Sequence, residues 1–254
     1  MPRQKPNVRI GMIQAAEEIR FRCDKSFRLM SLEGQEQATG QADVEYRVEK
    51  IESTPAQIRW AVRLAIRETE EEARQFQAEE ERKTTLWRQG LTLPLNRQLF
   101  DNREYWVVTG PFAALDQALA FCRSYEPAGE AMVVKEIVTP SAGVLRCGDQ
   151  TFAAGLRIEP QDPTATLSLA DVTVGIEFHW QHKKTQQLPG CLEIRFNTSG
   201  ALLAINELDI ESYLISVNSS EMTAENPPEL LKAQTVAARS TILATMGKHH
   251  YDEP

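Results

Sequence analysis

The strongest chemical candidate in this chain is one carboxylate, Glu221, within Ser219–Ser220–Glu221–Met222. A strand-like run, Leu202 to Ile205, leads to a short amphipathic segment around Tyr213. An exposed turn at Ser219–Met222 follows, then an alanine-rich helix from Pro227. Ala233, Ala237 and Ala244 put small side chains on one stripe of that helix, which allows close packing. The layout sets a lone acid at the end of an element, where it could be presented in a groove. An exposed glutamate is ionised at neutral pH. It can give up a proton only where an apolar setting raises its pKa. Met222 and the Val217 side of the preceding segment are compatible with such partial burial. Asn226 before Pro227–Pro228 reads as the helix N-cap. Asp209 and Glu211 read as caps for the short segment.

The elements that must position this acid are mostly strands. Residues 6–50 alternate in short bursts, as in Val44-Glu-Tyr-Arg-Val, with Gly34 and Gly40 as punctuation. They read as an antiparallel sheet with one wet face. Across residues 55–90, Ile58, Val62, Ala65, Thr69, Ala73 and Phe76 recur at helical spacing. The pairs Glu70/Arg74 and Glu79/Lys83 are spaced for i,i+4 contact. This predicts one long charged helix. Residues 103–139 read as strand, helix, strand. Residues 140–206 return to short strands, with a hairpin at Asn197-Thr-Ser-Gly200. The expected class is α+β: a strand-rich mixed α/β chain with a long charged helix and a C-terminal Ala-rich helix. Its parts are a strand-rich 1–54, the helix 55–90, a βαβ insert 103–139 and a C-terminal domain 140–254.

Composition narrows the functions. The 254 residues suffice for one large domain or two small ones. A formal charge of −8 argues against a nucleic-acid-binding surface, which needs clustered Lys and Arg. Cys23, Cys122, Cys147 and Cys191 lie far apart with no C-x-x-C pair, and read as thiols. One long-range disulfide stays open for an exported protein. Met1-Pro-Arg-Gln-Lys is basic, but no apolar run of signal-peptide length follows. No stretch is long enough to span a bilayer.

The segment around Glu221 resembles the SpoIID/LytB family, the sporulation stage II protein D and amidase-enhancer proteins. The matching residues are Leu208, Glu211, Tyr213, Leu214, Val217, Ser220–Glu221–Met222, Pro227 or Pro228, Leu230–Leu231–Lys232–Ala233–Gln234 and Val236–Ala237–Ala238–Arg239. Close likeness covers about residues 200 to 250. A looser likeness extends to the strands before it and to Val8-Arg-Ile-Gly11. The resemblance implies a lytic transglycosylase that cleaves peptidoglycan glycan strands, with Glu221 as general acid and then base. It also implies a cell-envelope or spore-associated setting. The missing signal peptide leaves the cytoplasm open. Ser220, Tyr213, Gln234 and Arg239 become candidate substrate-binding residues. Gln234 and Arg239 either orient Glu221 or a sugar, or bond backbone groups in the core. Tyr213 either lines the groove or packs in the core.

The amidase-enhancer side of the family implies the alternative, a non-catalytic wall-binding module with a cell-wall amidase as partner. Some SpoIID-like proteins hold zinc with histidines and cysteines after this helix. Only His249 and His250 are in place here, and a tetrahedral site needs four ligands. The expectation is no cofactor in this chain, with zinc only if the chain continues beyond Pro254, and a C-terminal domain cut short. His179-x-x-His182 is discounted, since i and i+3 on a strand face opposite ways. Tyr105-Trp106-Val107-Val108-x-Gly110-Pro111-Phe112 with the following helix looks like half of a SPOR repeat, a family that binds stripped glycan strands. An ordinary βαβ insert fits the same residues. Trp106 and Phe112 read either as a sugar platform or as core aromatics.

Overall fold

Alternation of apolar and polar side chains builds most of this chain, because every second residue of a strand points to the same face. The computed structural model describes residues 5–95, 98–125, 131–175, 178–223 and 225–248. The first stretch holds β1 (Asn7–Ala16), β2 (Glu18–Cys23), β3 (Phe27–Ser31), β4 (Glu36–Gly40) and β5 (Glu45–Thr54). Next come β6 (Gln57–Arg67), α1 (Glu70–Glu79), β7 (Thr84–Gln89), β8 (Thr92–Leu95), β9 (Gln98–Asp101), β10 (Glu104–Phe112), α2 (Leu115–Ser124) and β11 (Met132–Thr139). Then follow β12 (Ala142–Cys147), β13 (Gln150–Ala153), β14 (Gly155–Pro160), β15 (Leu167–Val174), β16 (His182–Leu188), β17 (Cys191–Phe196) and β18 (Leu202–Asp209). The chain closes with α3 (Ile210–Glu221) and α4 (Pro228–Thr245). Two compact units result. One is Ile58–Thr139 together with the chain from Val217; the other is Pro6–Gln57 with Pro140–Ser216.

The second unit contains two six-stranded antiparallel sheets. Their orders are β1-β18-β17-β14-β3-β4 and β13-β12-β5-β2-β15-β16. One apolar core draws on both, as in a sandwich: Phe21, Val48, Leu145 and Phe152 from one sheet, Phe27, Leu156, Ile158 and Ile194 from the other. Phe27 meets Phe21 edge-on with ring centroids 5.6 Å apart. A Cβ at Gly40 would run into the Phe27 ring, so only glycine fits there. β18 lies between β1 and β17, and five of its first residues, Leu202–Asn206, are buried. Pairing on both edges fixes its end at Asp209, where α3 begins. The Ile210 amide also donates to the Pro6 carbonyl at 3.0 Å.

In the first unit the chain runs β6-α1-β7, then β10-α2-β11, with sheet order β11-β6-β10-β7. This is the split βαβ arrangement, with the β8–β9 hairpin added between its halves. Val62 and Leu64 pack with Ala118 of α2 and with Tyr125. Ala65 and Val107 pack with Ala73 of α1. Trp106 is 3% exposed in a cluster with Ala61, Val108 and Val134, and Phe112 packs on Phe121 at 5.3 Å. Both aromatics are therefore packing residues, not a sugar platform.

The long charged helix expected across 55–90 does not exist, and the fold class changes with it. Strands hold 53% of the described residues and helices 21%, so the molecule is strand-dominated. Strand β6 occupies Gln57–Arg67, and only Glu70–Glu79 is helical. The reason is a competing period. Ile58, Trp60, Val62, Leu64 and Ile66 alternate strictly, and β-branched and aromatic residues favour strands. The helical reading had picked a subset of that alternation. The true start is a capping box: the Thr69 hydroxyl accepts from the Glu72 amide, and the Glu72 carboxylate accepts from the Thr69 amide. Glu70 pairs with Arg74 at 2.6 Å, while Lys83 falls beyond the helix end. Thr69→Ala should destabilise the first unit by about 1 kcal/mol in thermal unfolding. An unchanged transition would contradict this helix start.

Candidate functional site

Asp209 starts α3 by capping it. Its carboxylate accepts from the Glu211 amide at 3.1 Å, the Ser212 amide at 3.2 Å and the Ser212 hydroxyl. Ile210 and Leu214 are buried, and Tyr213 is half-buried. Further along, Ser220 turns its hydroxyl back to the Val217 carbonyl at 2.9 Å. Glu221 is the last residue of α3, and it is exposed.

The following helix begins differently from the sequence expectation. Pro227, not Asn226, is the N-cap, with no side-chain cap bond and Pro228 at the first helical position. Asn226 instead donates to the Met222 sulfur at 3.6 Å. Two side-chain contacts tie α4 to the end of α3. The Gln234 amide donates to Glu221 Oε2, and the Asn218 amide donates to the Thr235 hydroxyl. The Asn218 carbonyl oxygen is buried and makes no hydrogen bond among the described residues. That residue was missed in the sequence, because an Asn inside a helical run carries no spacing signal of its own.

Of the residues singled out, Glu221 and Gln234 are brought together. Ser220 bonds within its own helix. Tyr213 lies eight residues before Glu221, about 12 Å of helix rise. Arg239 is half-buried and five residues beyond Gln234, about 140° further round α4, so the two share no face. Ala233, Ala237 and Ala244 are exposed, and α4 has no buried residue at all.

Helix α4 is held at its far end by polar groups. Asn102, 8% exposed, donates through one amide nitrogen to the carbonyls of Leu243 at 2.7 Å, Ala244 at 3.3 Å and Met246 at 2.8 Å. Its carbonyl oxygen accepts from the Leu91 amide at 2.8 Å. The Gly90 amide donates to the Gly247 carbonyl at 2.9 Å, and Gly247 takes the left-handed φ of 72° that follows a helix end. Lys248 pairs with Glu104 at 2.8 Å, and the Trp106 indole donates to the same carboxylate at 2.8 Å. Burial pushes the Glu104 carboxyl up, but the bonds from Lys248 and Trp106 outweigh it and leave its pKa below the ordinary value. A cavity of about 850 Å³ opens beside this anchor, lined by Arg67, Thr69, Asp101, Arg103, Glu104 and Lys248 among others. Glu221 is not among its lining residues.

No group of three or more His, Cys, Asp or Glu is placed to hold a metal among the described residues. His249 and His250 lie outside the described residues. The described residues therefore offer no donor set for zinc, and no step is routed through one. The four cysteines are free, and burial pushes the Cys147 thiol up to about 12.

Comparison with known proteins bears on this same segment. Residues 198–253 match the SpoIID family, described as stage II sporulation protein. The match spans the end of the second unit's central strand, α3 and α4. It extends neither to the amidase-enhancer name nor to the 103–139 insert. No curated protein and no solved structure matches the chain.

Because the Glu104 pKa is depressed on folding, its bond to Lys248 contributes above the unfolded carboxylate value, about 4.3, and is lost as pH falls through the lower folded value. Amide-exchange protection at the C-terminal end of α4 should hold from neutral pH to about pH 5 and fall below about pH 4. Glu104→Gln should remove that pH dependence. Protection that stays flat in the wild type would contradict the anchor.

Proposed function

We propose that this chain is a peptidoglycan-directed lytic transglycosylase of SpoIID type, with Glu221 as its acid and base. The SpoIID match supports work in sporulation or on the cell wall. The observation that carries the finer reading is the Glu221–Gln234 hydrogen bond, which joins the Ser-Glu-Met block to the Lys-Ala-Gln block. In the proposed reaction one carboxyl is enough. Glu221 gives its proton to the leaving glycosidic oxygen as the C1–O bond breaks. The resulting carboxylate then takes the proton of the sugar's own 6-hydroxyl, whose oxygen bonds to C1 and closes an anhydro ring. No water or second carboxylate enters, which distinguishes the reaction from the paired-acid hydrolases.

The exposed position of Glu221 sets a condition on this chemistry. The hydrogen bond from Gln234 orients the carboxyl for both halves of the cycle. The acid half requires desolvation, and a glycan strand lying across the end of α3 would supply it by displacing water. Gln234 then holds Oε2 and leaves Oε1 towards the bond being broken. The setting proposed with this activity is the cell envelope or the developing spore.

The exposure of Glu221, Leu230 and Val236 also favours a second reading, a non-catalytic amidase enhancer or wall-binding module that uses this surface for a partner. Mass spectrometry of products from peptide-free glycan strands separates the two. The wild type should release anhydro-muramyl ends, and Glu221→Gln should lower the yield by at least 100-fold, about the loss expected for a missing acid. Anhydro products from the variant at wild-type yield would sink the acid assignment. No product from either, with faster turnover of an added wall amidase, would establish the enhancer reading.

A further inference from the structure

The turn between β15 and β16 exposes two aromatic rings that serve no core. Phe178 is 62% exposed and Trp180 50%, with ring centroids 5.5 Å apart and planes 18° from parallel. Exposed apolar groups this large, gathered at one point, mark a contact surface more often than an accident of packing. The rings are held in place. The Trp180 ring lies over Gly175, where any Cβ would collide with it, and Gly175 has a left-handed φ of 70°. The Phe178 amide donates to the Gly175 carbonyl and the Gln181 amide to the Phe178 carbonyl, both at 3.0 Å. His182 approaches the Trp180 carbonyl with Nδ1 at 3.0 Å.

Strand β16 leads from this tip along the edge of its sheet. On it, Lys183 and Lys184 are exposed on opposite faces, and neither they nor Arg22 of β2 makes an ion pair among the described residues. A cavity of about 300 Å³ lies further along, lined by Arg20, Arg22, Glu45, Ser168, Thr185 and Gln187 among others. Arg20 is committed to Asp171 at 2.6 Å, and Glu45 is the acidic neighbour. Thr185 to His182 spans about 10 Å of strand, the reach of a short oligosaccharide. In a chain of net charge −8, Lys183 lies three residues from Trp180 and Arg22 lines the groove further along, so a cation stands towards each end of this surface.

We propose that Phe178, Trp180, Lys183 and Arg22 line a second binding site, for an acidic glycan. A sugar ring has an apolar C–H face that lies flat on an aromatic ring and a polar edge that needs donors and acceptors. The tip supplies the first, and the hydroxyl and amide groups of the groove supply the second. The unpaired cations match carboxylates carried on the sugars. A bilayer would use the tip and the lysines but would leave the polar groove without a role. That the glycan is a wall strand rests on the proposed wall-directed function; the site itself does not. It would hold the strand independently of the acid that cuts it.

The test measures binding of peptide-free glycan strands to the full chain by calorimetry, in the Glu221→Gln background so that nothing is consumed. Replacing Phe178 and Trp180 together by alanine should weaken binding about tenfold, with thermal unfolding unchanged because both rings are exposed. Lys183→Glu with Arg22→Glu should also weaken it and flatten its salt dependence. Vesicles of phosphatidylcholine and phosphatidylglycerol should not bind. Undiminished glycan affinity in the aromatic variant, no glycan binding at all, or binding to the vesicles alone would each overturn the proposal. The catalytic reading is judged separately, by whether cleavage depends on Glu221.

Discussion

The buried amide of Asn102 is the central one of the polar contacts that position α4. The helix has no fully buried residue, and apolar side chains such as Leu231, Ile242 and Leu243 are only half-buried, so the usual source of helix docking is weak. Asn102 adds hydrogen bonds to three carbonyls at the helix end, groups that no intrahelical donor can satisfy. The same side chain accepts from the Leu91 amide, so one residue couples the helix end to the chain leading into the β8–β9 hairpin. Bonds of this kind contribute about 1 kcal/mol each, but losing Asn102 would also leave several buried groups unpaired, which costs more.

With its far end held there, the other end of α4 can present Gln234 to Glu221. Helix α3 is fixed from the opposite direction. β18 is paired on both edges, and Asp209 at its end caps the first turn of α3. Eleven residues later the same helix delivers Glu221 into solvent. The acid thus sits where the end of α3 meets α4, in an exposed position. A polar, adjustable contact there is consistent with a site completed by its substrate or partner.

Legibility from the sequence followed the length scale of each signal. Glu221 and Gln234 are thirteen residues apart, yet their contact brings the Ser-Glu-Met and Lys-Ala-Gln blocks together. Short alternating strands such as Leu192-Glu-Ile-Arg-Phe were plain, because one buried face imposes a period of two. The β6 segment failed for the same reason in reverse: Arg and Ala between its apolar residues left room for a helical subset, and Thr69 with Glu72 was the better start signal. Asn102 was invisible. Its partners are backbone carbonyls about 140 residues away, and backbone acceptors leave no trace in sequence. The Phe178–Trp180 tip was passed over because an aromatic in a polar stretch shows its exposure only once the turn is built.

The most direct test of this account is amide exchange across α4 in the wild type and in Asn102→Ala. The account predicts that the variant loses protection from Leu243 back towards Gln234, by about 2 to 4 kcal/mol of local opening energy, while the core strands of both units keep theirs. Protection of α4 unchanged in Asn102→Ala would show that something other than this amide positions the helix, and with it the Glu221 site.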